Sequence, residues 1–245
     1  DKPVLPIEFS AGPLTTLSGL ELFRRFCERA GWIDRLRDAF SERRFDTDYG
    51  SFRTTLLVVG MLLLGGSRLS HLRVLDRDPL FLRFVRLRRL PDERTLSRGL
   101  KSLTAPYCNQ LNELLRDVAY QTCEEISLAR ATIEFDGTVL RSSECVDGAE
   151  RGFSPHHPKD PSYYPLTAHL AQTGQLLGVW NRPGNVHDSV GAAEHLAALL
   201  ADVRRRLGSI PLEVRLDGAF FHEAVLGVLT ASRVEYAVKV PMCKW

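Results

Sequence analysis

Twice in this chain an alternating apolar segment runs straight into Asp-Gly. Ala131-Thr132-Ile133-Glu134-Phe135 leads to Asp136-Gly137, and Leu212-Glu213-Val214-Arg215-Leu216 leads to Asp217-Gly218. Period-two alternation is the pattern of a strand with one covered face. A helical stretch from about Ser189 to Leu207 precedes the second segment, another from Phe221 to Thr230 follows it, and Val234 to Val240 reads as a further strand. Strands alternating with helices of this length form parallel β/α units. Both carboxylates then emerge at strand ends of one sheet.

Upstream the texture is different. From about Leu14 to Leu128 apolar residues recur at helical spacing, as in Leu17, Leu20, Leu22, Phe23 and Phe26. Ser51 opens a helix that ends at Gly65-Gly66, Pro91-Asp92 starts another, and Thr104 to Leu128 forms a long amphipathic one. Two parts follow: a helical region over 1–128 and an α/β region over 129–245. In the second, Val139 to Ser143 is expected to pair with the strand ending at Asp136. Residues Glu144 to Pro165, rich in Gly, Pro, His and Ser, form a long loop of the kind that more often carries function than not. Strands at Leu166–Ala171 and Leu176–Trp180 complete a β-β-β-α-β-α-β order, the ribonuclease-H-like arrangement.

Composition narrows the setting. The 44% apolar and 25% charged content of these 245 residues is that of an ordinary globular protein. The greasiest run, Leu56 to Gly65, is too short to span a bilayer, and Asp1-Lys2-Pro3 begins no signal-peptide pattern. The five scattered cysteines suggest neither a disulfide framework nor a zinc pattern, so a reducing cytoplasm is the expected location. A net charge of +2 says little about nucleic acid. Its distribution says more, because Arg83, Arg86, Arg88, Arg89, Arg94 and Arg98 crowd one short region. Taken alone, that cluster reads more readily as a solvated helix face.

The chemistry rests on Asp136 and Asp217. Carboxylates at the ends of adjacent strands are hard oxygen donors suited to Mg²⁺ or Mn²⁺. Two such ions roughly 3.5–4 Å apart serve phosphoryl transfer. Taken singly, each Asp-Gly is as well explained by a turn; the matching contexts make the pair informative. Asp136-Gly137-Thr138 also resembles the first motif of haloacid-dehalogenase-like phosphatases, but Glu134 stands where that family places its nucleophilic Asp. His156-His157 with Cys145 fits no common zinc spacing. In the long loop Lys159, Tyr163 and Tyr164 offer a cation and rings to phosphates and bases, or pack over the sheet. Asn185 and His187 either contact DNA or cap the following helix, while Asp188 and Glu194 read as helix-start charges. A second helix of a helix-turn-helix is expected near Thr95, presenting Arg94, Arg98 and Lys101.

Several segments taken in order bring a family into view. They are Glu134-Phe135-Asp136-Gly137-Thr138-Val139, Gly152-Phe153-Ser154-Pro155 and Pro161-Ser162-Tyr163-Tyr164-Pro165-Leu166. Arg182-Pro183-Gly184-Asn185-Val186-His187, Leu216-Asp217-Gly218-Ala219-Phe220-Phe221 and Tyr236-Ala237-Val238-Lys239 continue the series. Upstream stand Asp76-Arg77-Asp78-Pro79 and Leu90-Pro91-Asp92-Glu93-Arg94-Thr95-Leu96-Ser97-Arg98. Together they resemble the DDE transposases of bacterial insertion sequences, family thirteen-eighty, transposase DDE domain group 1. The resemblance implies a DNA transposase that binds terminal inverted repeats and performs metal-dependent strand cleavage and strand transfer. Asp136 and Asp217 would bind two Mg²⁺ or Mn²⁺ ions. Arg94, Arg98, Lys101, Lys159, Tyr163, Arg182, Asn185 and His187 would contact DNA, and a homodimer would assemble on it. The family's third acid is a Glu farther along the chain. Glu223 and Glu235 lie too close to Asp217 to stand in, so the expectation is a chain that stops short of it and is inactive alone. The alternative is a remnant that binds DNA without cutting.

Overall fold

The computed structural model describes residues 15–40, 49–142, 146–152 and 160–240. The chain divides between Cys108 and Asn109 into two compact units. Every regular element described before Arg130 is helical: α1 (Ser18–Arg29), α2 (Trp32–Ala39), α3 (Ser51–Leu63), α4 (Leu72–Leu75), α5 (Pro79–Val85), α6 (Glu93–Lys101) and α7 (Ala105–Glu125).

Local chemistry sets these boundaries. Asp78 caps α5, its carboxylate accepting from the Leu80 and Phe81 amides at 2.9 and 3.0 Å, with Pro79 in the first turn. Asp92 caps α6 in the same way through Thr95 at 2.7 Å. α3 and α5 approach closely because Gly60 faces the ring of Phe84; a Cβ there would lie 2.8 Å from it. Leu57, Phe81, Phe84 and Val85 fill the resulting core.

The second unit is built on a five-stranded sheet of β1 (Ala131–Gly137), β5 (Leu166–Leu170), β6 (Gln175–Trp180), β7 (Leu212–Leu216) and β8 (Glu235–Val238). Its order is β6-β5-β1-β7-β8. β1, β5 and β6 run antiparallel, whereas β7 lies parallel to β1 and β8 parallel to β7. α8 (Ala192–Leu207) and α9 (Glu223–Ala231) make the crossovers. This mixed sheet with its crossover helices is a ribonuclease-H-like fold.

Register decides the faces. Ile133 pairs with Val214 and Phe135 with Leu216, and all four are buried. They join Leu196, Leu199 and Leu200 of α8, Val225 and Leu229 of α9, and Ala119, Tyr120 and Cys123 of α7 in one core. Most of α7 therefore belongs with the sheet. The change of periodicity pointed to a division at 128/129, whereas the compact units part within the first turn of α7. α7 also finishes the sheet edge. Asn112 donates to the Val179 carbonyl and accepts from the Val179 amide, both at 2.9 Å, replacing a missing neighbour strand.

The segment after Asp136 departs from expectation. The expected strand over Val139–Ser143 shrinks to β2 (Leu140–Arg141) and does not pair with β1. It pairs instead with β4 (Pro161–Tyr163), which also pairs with β3 (Glu150–Arg151) in a separate three-stranded sheet. β1 has no open edge to offer, because β5 and β7 flank it on both sides. Among the described residues no helix is long and apolar enough to cross a membrane.

Candidate active site

In a strand alternate residues face opposite ways. With Phe135 beside Leu216 on the buried face, the next residues, Asp136 and Asp217, leave the C-terminal ends of adjacent parallel strands on the other face. On the two central strands that face is polar. Thr132 donates to Glu213 at 3.0 Å and Arg215 stands 3.9 Å from Glu134. Each acid is fixed by its own turn: Asp136 accepts from the Gly137 amide at 2.8 Å, and Asp217 from the Ala219 amide at 3.0 Å. Both reach solvent.

Crowding by its neighbours raises the affinity of the Asp136 carboxyl for its proton. Partial burial is the largest cause; the Gly137 amide opposes it, the negative charges of Asp217 and Asp188 add to it, and His169 offsets part. Two hard carboxylates in one field, each favoured by added positive charge, suit a divalent cation. Among the described residues no group of three or more His, Cys, Asp or Glu is poised to hold a metal. The fit therefore rests on the Asp136–Asp217 pair.

Asp188 was missed as a neighbour of this site because its position after His187 reads as a helix start. Its carboxylate makes no cap on α8, whose N-cap is Gly191 without a side-chain hydrogen bond. Asp188 Oδ1 instead presses on Gly137: a Cβ at that glycine would meet it at 2.4 Å, and would meet the Tyr164 ring and hydroxyl at 2.6 Å. The loop carrying Asp188 is tied down by Arg182. Its Nε donates to the Tyr164 carbonyl at 3.0 Å, and its Nη1 to the carbonyls of His187, Asp188 and Val190 at 3.3, 3.0 and 2.7 Å.

Arg182, expected on DNA, is thus turned inward, with 7% of its side chain exposed. His187 and Asn185 are exposed in the same loop, and His187 Nδ1 lies 3.0 Å from the Ser189 hydroxyl. Tyr163 is half-buried and donates to the Asp147 carbonyl. Lys159 lies outside the described residues, as do Cys145, His156 and His157. In the first unit Arg94, Arg98 and Lys101 are exposed on α6. Arg94 and Arg98 line an open hollow of about 1190 Å³ together with Arg73 and Arg77. Those last two were overlooked, since Arg73 and Arg77 are separated from the basic cluster by a helix and a cap.

The profile of the family described as Transposase DDE domain group 1 matches residues 1–244. The chain belongs to that transposase family. No curated protein sequence matches it. Solved structures similar to this transposase domain include the Mos1 transposase paired-end complex with left transposon end. That match has 12% identity and a TM-score of 0.32, and covers 86% of this chain and 66% of that one. Another is the Mos1 mariner paired end complex with Mn, at 13% identity and TM-score 0.32, covering 91% and 78%. A third is the piggyBac transposase synaptic complex with hairpin DNA, at 13% identity and TM-score 0.41, covering 88% and 50%. The transposase domain thus spans between half and four-fifths of the length of these chains.

Proposed function

We propose that this protein is a DNA transposase of a bacterial insertion sequence, acting in the cytoplasm. It binds the terminal inverted repeats of its element, cleaves a DNA strand by hydrolysis, and joins the freed 3′-hydroxyl to target DNA. The observation that carries this reading is the placement of Asp136 and Asp217 at matching ends of adjacent parallel strands within a DDE family domain.

Asp136 and Asp217 would hold Mg²⁺ or Mn²⁺, two ions in the full reaction. When bound, the ions activate the attacking oxygen and stabilise the leaving oxygen of the phosphodiester. The protein's part is to place acceptors. The Gly137 and Ala219 amides each fix one carboxylate oxygen, of Asp136 and Asp217 respectively. No covalent enzyme intermediate arises, because water and then the 3′-hydroxyl are the nucleophiles. Arg94, Arg98 and Lys101 bind phosphates, joined by Arg73 and Arg77 across the hollow. Asn185, His187, Tyr163 and Lys159 contact DNA, while Arg182 holds the loop that carries His187. The active assembly is a homodimer on paired ends.

The test is incision of a labelled inverted-repeat duplex in Mn²⁺. Asp136→Asn and Asp217→Asn should each abolish incision and leave duplex binding intact. Incision retained by either variant refutes the assignment. Wild-type binding without any incision would favour the second reading, a transposase that occupies ends without cutting.

A further inference from the structure

Behind the Asp136-Gly137 turn sits an ionic cluster whose bonds are incomplete. Asp188 Oδ1 and Arg182 Nη2 are both buried, neither has a hydrogen-bond partner, and they stand 4.0 Å apart. An ion pair that served only to lock the loop would close to ordinary hydrogen-bond distance. Here the loop is already locked by other atoms, since Arg182 spends Nε and Nη1 on four backbone carbonyls. The guanidinium also lies over the Tyr164 ring at 5.3 Å, and the Tyr164 hydroxyl and Asp188 Oδ1 crowd the same space beside Gly137. Asp188 is therefore held through its backbone carbonyl by Arg182 and packed beside Tyr164. One of its oxygens is left facing Gly137.

We propose that Asp188 is a positioning carboxylate of the divalent-cation site, a fixed negative charge behind Gly137 that seats the Asp136 turn and strengthens cation binding. The proposal rests on the reading that Asp136 and Asp217 bind a divalent cation. Asp188 is not itself a third ligand, because no three acids are grouped for a metal among the described residues. It acts through Asp136 in two ways. Its side chain and Tyr164 fill the space a Cβ at residue 137 would need, which sets the path of the turn. Its charge, little screened at 15% side-chain exposure, adds to the field that attracts a cation. A carboxylate oxygen buried without a hydrogen bond is costly in an apoprotein, and a neighbouring dication offsets that cost.

The experiment is Mn²⁺ binding to the full chain, read as loss of the free-Mn²⁺ electron paramagnetic resonance signal, for wild type, Asp188→Asn and Asp217→Asn. Loss of an outer-sphere partner of a metal ligand typically weakens binding by about 10–100-fold. Asp188→Asn should therefore weaken Mn²⁺ binding by about tenfold or more while its thermal midpoint without metal does not fall. A purely structural role would move the midpoint and not the affinity. If Asp217→Asn loses Mn²⁺ but Asp188→Asn binds like wild type, this proposal alone is overturned. If Asp217→Asn also binds like wild type, the cation site lies elsewhere and the functional reading falls with it. Should Asp188→Asn fail to fold, Tyr164→Phe takes its place, removing only the hydroxyl that crowds Gly137 beside Asp188. A changed Mn²⁺ affinity then supports the proposal, and an unchanged one overturns it.

Discussion

Gly137→Ala puts the packing behind the Asp136 turn to a direct test. The new methyl would lie 2.4 Å from Asp188 Oδ1 and 2.6 Å from Cζ and Oη of Tyr164. Comfortable separation between such atoms is about 3.5 Å, so something must retreat by about 1 Å. The backbones of both neighbours are held. The Asp188 carbonyl is bound to Arg182 at 3.0 Å, and the Tyr164 amide donates to the Arg182 carbonyl at 2.7 Å. Overpacking of this sort typically costs about 1–3 kcal/mol, and three simultaneous contacts place this case near about 2–3. With a urea m-value of about 2 kcal/mol/M, the midpoint should fall by about 1 M. The control is Gly227→Ala in α9, where a Cβ meets nothing within 4 Å. Removing a glycine from that helix should stabilise by about 0.5–1 kcal/mol. The two substitutions are chemically identical and should move the urea midpoint, followed by circular dichroism, in opposite directions. Adding Asp188→Ala to Gly137→Ala should restore part of the loss, since the two sites share a contact. A Gly137→Ala variant as stable as wild type at an unchanged m-value would refute the wedge and the account of Asp188 with it.

Further outcomes follow from the same geometry. Asn112→Ala strands the amide and carbonyl of Val179 and should cost about 2–4 kcal/mol in urea unfolding; a midpoint equal to that of wild type would show the edge bonds are dispensable. Asp136 is raised in the folded state, so its ionised form destabilises the metal-free protein at neutral pH. That effect fades as pH falls through its folded value and is gone below its ordinary 3.8. In chelator Asp136→Asn should therefore melt higher than wild type at pH 7 and level with it at pH 3; a lower melting point at pH 7 contradicts the sign. Arg98→Ala should reduce the slope of log binding constant against log salt by about 1 for an inverted-repeat duplex. A slope that does not move removes Arg98 from the phosphate contacts.

Much of this was legible locally. Alternation in Ala131–Phe135 and Leu212–Leu216 located both central strands and delivered Asp136 and Asp217 to their ends, because a pleat assigns faces by parity alone. Pro91-Asp92 marked a helix start, since a cap needs only its own next three residues. Periodicity found α8 and α9 within a few residues of their observed bounds.

What the sequence by itself determined, then, is what depends on neighbours in the chain: element type, the buried face of each strand, and the two acids. Tertiary structure alone decided which partner each element takes. Leu140–Arg141 has strand character, yet β1 is already paired on both edges, so it joins β4 instead. α7 looks like the last helix of a helical region, but its Ala119 and Tyr120 pack with the sheet. Arg182 and Asp188 read as surface charges in a Pro-Gly loop. Only the fold brings four backbone carbonyls around one and a bare glycine against the other, and burial of a charge is settled by such non-local partners.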